Sequence, residues 1–137
     1  MTIQPHFDTP FANRLAKIDL TAVMAHVKED TGLADEDLAR AEDLYRKFLT
    51  LKASYPGQSF VPPRLVDIVW HTHITFTRQY FADCDLLFGE YLHHTPDFEG
   101  SEDLFPTTVA KYEEDFGINL KAYGTHLPEM YSAMACA

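Results

Sequence analysis

The segment Trp70-His71-Thr72-His73 is followed by Cys84 and then by His93-His94, so four of the seven histidines and one of the two cysteines fall between positions 71 and 94. Imidazole is the commonest protein ligand for transition metals and titrates near neutrality when unperturbed. So dense a cluster points to a metal site or to acid/base chemistry, with core packing and helix capping as the ordinary alternative.

Spacing divides the cluster. On a helix, Asp67 and His71 are four residues apart and share a face, whereas His71 and His73 are two apart and point about 200 degrees from one another. Both reach one ion only if the helix ends between them. Otherwise His71 faces the site with Asp67 while His73 packs with Val66, Val69 and Trp70 on the other side.

A carboxylate one turn before a histidine can orient the imidazole, behind a metal ligand or in an acid/base pair. His93 and His94 precede Pro96 in a segment that reads as extended or turning, where neighbouring side chains diverge and one of the two enters a given site. Cys84 falls on an apolar face with Tyr80 and Leu87, which makes it a core residue or the closing ligand of a His/Cys site. No His-Glu-x-x-His string is present, which disfavours a zincin-type protease. The candidate metal ligands are thus His71, His73, His93, His94 and Cys84, and the candidate catalytic residues are Asp67 and His71. Zinc or iron(II) suits such a donor set, and an incomplete set leaves a position for water or substrate. His6, His26 and His126 stand alone and read as structural or surface residues.

The elements that position these residues read as helices. Residues 1–10 hold two prolines and read as an extended arm. Leu15, Ile18, Ala22, Val23, Ala25, His26 and Val27 form an apolar stripe, with Asp19 as N-cap, Gly32 as stop and a break near 18–21. From Asp35 to Ser54, Leu38, Ala41, Leu44-Tyr45, Phe48-Leu49 and Leu51-Lys52 recur at helical spacing, and Tyr55-Pro56-Gly57 ends the helix. Pro62-Pro63 opens a third helix running to about His73. Further helices are expected over 77–88, stopped by Gly89, and over 101–116, stopped by Gly117, with a charged first turn at Ser101-Glu102-Asp103. The tail from 118 to 137 shows no firm periodicity.

The 137 residues are 46% hydrophobic and include ten Phe and seven Tyr, enough to bury roughly 65–70% of the unfolded surface in one domain. A formal charge of −10 repels phosphate backbones and anionic headgroups, so nucleic acid and membrane are excluded as partners, leaving a small molecule or a protein. The N-terminal residues lack a basic segment followed by an apolar run, and Cys84 and Cys136 form no disulfide framework, which together suggest a cytoplasmic protein with reduced thiols.

The ordered string Asp67-x-x-Trp70-His71-x-His73-Ile74, Thr77-x-x-Tyr80, Cys84, Phe88-Gly89, His93-His94-x-Pro96, with the later Tyr112 and Phe116-Gly117, resembles the core of the glycine-rich domain-containing protein-like family. The resemblance covers about residues 61–117. It implies that Asp67, His71, His73, Cys84, His93 and His94 form a shared site, and it implies no particular reaction. The glycine-rich tail of some relatives is absent, since only six glycines occur.

The expectation is one all-α domain, residues 1–137, a compact bundle of about five helices in which the hairpin and following segment at 62–96 carry the site. Its expected role is metal binding, with hydrolytic or oxidative chemistry on an unnamed substrate. Two rivals are a non-catalytic helical interaction or accessory module, and a metal-free His/Asp or Cys/His catalyst.

Overall fold

The computed structural model describes residues 9–94 and 101–132, without the side chains of 101–103. Residues 1–8, Thr95-Pro96, the side chains of the first turn at 101–103 and Cys136 therefore lie outside its account. Seven helices and no strand occur among the described residues: α1 Thr9–Leu15, α2 Thr21–Thr31, α3 Asp35–Ser54, α4 Arg64–Thr75, α5 Thr77–Phe88, α6 Ser101–Phe116 and α7 Leu120–Tyr123. The all-α class is as expected and the count of five is corrected to seven. The two additional helices, α1 and α7, have 7 and 4 residues, and so short a segment completes too few turns to display a period. No helix among the described residues is long and apolar enough to cross a membrane.

The break near residues 18–21 separates α1 from α2, and the Asp19 carboxylate accepts the Thr21 amide at 2.9 Å. Arg46 of α3 holds this junction from the other side. Its guanidinium donates at 2.8 Å each to the carbonyls of Leu15, the last residue of α1, and Ile18 in the turn after it.

Helix α3 carries an acidic first turn, Asp35, Glu36 and Asp37, where the helix dipole favours negative charge. Its stripe Leu38, Ala41, Leu44, Tyr45, Phe48, Leu49 and Leu51 is buried as the spacing requires. Helix α4 is the centre of the bundle and packs against α2, α3 and α5. It buries Leu65, Val66, Val69, Trp70, Thr72 and His73. Each apolar side chain there contributes at most about 1.5–3 kcal/mol by leaving water.

A helix starting with Pro62-Pro63 still exposes its next amides. The C-terminal segment supplies their acceptors: Arg64 N–H donates to the Ser132 carbonyl at 2.9 Å and Leu65 N–H to that of Met130 at 2.8 Å. Tyr131, between those two residues, is buried, and His126 pairs with the buried Asp37 at 2.6 Å. The segment is irregular apart from α7, yet it is fastened along its described length.

Gly124 makes this docking possible. A Cβ there would overlap Cγ and Cδ1 of the Tyr131 ring. Gly124→Ala is expected to destabilise the protein by about 1–3 kcal/mol, the usual cost of overpacking, as measured by urea denaturation. An unchanged midpoint would show that the ring does not need this space.

Candidate functional site

The histidines resolve into separate pairs. His73 is buried, 1% exposed, and both ring nitrogens are occupied. Nε2 lies 2.8 Å from Asp83 Oδ2 on α5, and Nδ1 lies 2.7 Å from the Tyr45 hydroxyl on α3. A carboxylate only accepts, so Nε2 carries the proton and donates to Asp83, while Nδ1 accepts from the Tyr45 O–H. Gln79 gives Asp83 a further donor at 3.2 Å. Burial pushes the His73 pKa below its ordinary value against the opposing pull of Asp83, and pushes that of Tyr45 well up. The ring is a neutral member of a satisfied network.

On the other side of α4, Asp67 Oδ1 pairs with His94 Nε2 at 2.6 Å. The His94 ring stacks on Trp70 with centroids 4.0 Å apart and planes within 4°. His71 is exposed and meets His94 edge-on at 6.5 Å between centroids. The structure thus brings Asp67, His71 and His94 together and sends His73 away. His93 is also exposed and turns instead to Tyr91, 4.8 Å away.

Cys84 is buried at 3% exposure. Burial raises its pKa, and the Leu92 backbone and the Tyr80 hydroxyl are its hydrogen-bonding neighbours. It is a protonated core thiol and not an activated nucleophile. The Tyr80 hydroxyl accepts from Trp70 Nε1–H at 2.8 Å and donates to the Leu92 carbonyl at 2.5 Å. His26 pairs with Asp30 on the surface of α2 at 3.5 Å.

This geometry overturns the metal-binding reading. Among the described residues no group of three or more His, Cys, Asp or Glu side chains is placed to hold a metal ion. The reason is local: α4 runs unbroken to Thr75, past His73, so His71 and His73 diverge as the helical period demands. His73 has no free nitrogen, His94 has spent Nε2 on Asp67, and Cys84 faces the core. The set His71, His73, His93, His94 and Cys84 does not converge.

A cleft of about 520 Å³, within the usual range for small-molecule sites, opens beside this network. Its walls come from α1, the end of α3, the turn at 56–59, the end of α5 and residues 90–92. Phe11, Phe88 and Tyr91 supply aromatic surface, and Arg14 and Lys52 supply two cations. Lys52 is half-buried, and its ammonium stands 6.0 Å from the centroid of the Trp70 ring. Burial pulls its pKa below the ordinary lysine value. Among the described residues neither Lys52 nor Arg14 forms an ion pair, although Glu90 lies on the cleft's exposed rim. Arg14 sits over the Phe11 ring at 5.5 Å and makes a long 3.4 Å contact to the Leu87 carbonyl. Sequence reasoning missed both cations. The available signal was Lys52 itself, a charge standing inside the apolar stripe of α3.

The fold and these pairs define an all-helical domain with internal His–Asp contacts and an adjoining cationic cleft. A family model described as UCP032817-like matches residues 15–102, more than half of the chain, so the protein belongs to the UCP032817-like family. That family is uncharacterised, and its match corrects the resemblance to the glycine-rich domain-containing protein-like family. No curated protein and no solved structure matches the chain.

The depressed pKa of His73 has a sign in stability. Below the unfolded value of about 6.5 the unfolded chain takes up a proton that the native ring resists. His73 therefore contributes stability above pH 6.5, which is lost as pH falls through its lowered native pKa. His73→Gln is expected to be less stable at pH 7.5 and to lose less on going to pH 5 than the parent. Denaturation midpoints at the two pH values measure this, and parallel losses would contradict a neutral buried ring.

Proposed function

We propose that this protein binds a small organic carboxylate with an apolar or aromatic body in the cleft between α1, α3 and α5. The observation that carries this reading is Lys52, a half-buried ammonium with no ion pair among the described residues, in a chain of net charge −10. Taking an ammonium out of water costs free energy unless an anion or other dipoles replace the lost solvation. In a chain where carboxylates outnumber cations, such a lysine, in a cleft that an arginine also lines, supports binding of an external anion.

Arg14 complements it. A planar guanidinium binds a carboxylate through two parallel hydrogen bonds and fixes its orientation, whereas lysine acts as a compact point charge. Phe11, Phe88 and Tyr91 then offer surface for the rest of the ligand. The volume suits a molecule of metabolite size and not a polymer.

The single tryptophan, Trp70, reports on Lys52 by proximity. Titration with phenyllactate should change Trp70 fluorescence saturably, while phenyllactamide, its neutral amide, should bind at least about tenfold more weakly. Lys52→Met and Arg14→Gln should each weaken phenyllactate binding by about tenfold or more, as expected for a charge-assisted hydrogen bond of roughly 1.5–3 kcal/mol. Equal binding of acid and amide, or no effect of either substitution, would overturn the reading. Lys52→Met should also raise stability at pH 7, because the cost of the buried charge is felt below the lysine's lowered native pKa and is relieved as pH rises towards its unfolded value.

A further inference from the structure

The same cleft holds the elements of a covalent site, and the inference rests on the anion-binding reading above. We propose that Lys52 Nζ condenses with the carbonyl carbon of a 2-oxo acid whose carboxylate is held by Arg14, forming an imine in the cleft. The two cations line one cavity of about 520 Å³, one able to grip a carboxylate as a fork and the other ending in an amine. In a 2-oxo acid the carboxylate and the electrophilic carbon are directly bonded. An end anchored at Arg14 therefore holds the other inside the cleft that Lys52 also lines.

An amine adds to a carbonyl only through its unprotonated form. Lysine is activated for this by desolvation and by a nearby cation. Lys52 meets the first condition, since burial lowers its pKa, and its place in the wall of the cleft leaves it open to a ligand there. Lys28, Lys47 and Lys111 are placed differently, paired with Asp35, Asp43 and Glu114 respectively.

The step balances without a further reactant. The nitrogen lone pair forms a C–N bond as the carbonyl π pair moves to oxygen. The amine loses a proton to that oxygen, and the carbinolamine then loses water to leave C=N. Nothing is oxidised or reduced.

The test is trapping with sodium cyanoborohydride in the presence of phenylpyruvate. The imine is reduced to a stable amine, and the protein gains the mass of the oxo acid less one oxygen atom. The expected result is one adduct per chain, located by peptide mapping to Lys52 and competed away by excess phenyllactate, which carries the carboxylate and no carbonyl. Lys52→Arg removes the primary amine and should give no adduct. An adduct spread over several lysines, or one that persists in Lys52→Arg, overturns the proposal. Phenyllactate binding without any phenylpyruvate adduct overturns the imine and leaves anion binding standing. Failure of the parent to bind either compound overturns both.

Discussion

The buried imidazole of His73 is the constraint around which the bundle is arranged. At 1% exposure it cannot rely on water, so each ring nitrogen must find a partner in the protein, and a nitrogen left unpaired costs about 1–3 kcal/mol. Tyr45 supplies one partner and Asp83 the other, from α3 and α5. Only Phe76 separates α4 from α5, so satisfying His73 fixes the rotation of all three helices together. Once His73 points inward, the helical period places Asp67 and His71 on the far side of α4. The placement of the second His–Asp pair is therefore a consequence of the first.

Trp70 couples that rotation to the cleft. Its indole N–H is held by Tyr80, whose hydroxyl passes the contact on to the Leu92 carbonyl, and its face stacks on His94. These interactions pin residues 90–94 against the bundle, so Tyr91 and Leu92 become cleft wall. Lys52 stands over the same indole. A single aromatic ring thus ties the histidine pairs to the cationic cleft. The histidines shape this region by hydrogen bonding and stacking, and two positions outside the sequence cluster supply its positive charge.

Much of the fold was legible from periodicity and stop signals. The α3 stripe, the Pro62-Pro63 start of α4 and the glycines after α5 and α6 act within a few residues of themselves, and Gly89 and Gly117 do adopt the left-handed conformation such stops require, at φ 72° and 69°. The divergence of His71 and His73 followed from helix geometry alone. Partners were not legible, because His73 finds Asp83 ten residues on, His94 finds Asp67 across 27 and His126 finds Asp37 across 89. A density of imidazoles in sequence resembles a ligand set until rotation and long-range pairing distribute its members. The Lys52 site was hidden for a related reason: a cation in an apolar stripe reads as helix pattern until a concave wall forms in front of it.

The electrostatics of the cleft also limit what it can select. A net charge of −10 opposes the approach of any anion at long range, so affinity must arise at contact, where Lys52 is shielded from water. Charge interactions there are less screened by salt than those between exposed groups. A polyanion would meet the full repulsion of the acidic exterior along its length while engaging only two cations. The proposed monocarboxylate would meet that repulsion once, against the guanidinium, the ammonium and the aromatic wall that line the cleft. Under the anion-binding proposal, the field of the whole chain sets the ligand's size and single charge, and the cleft residues set its shape.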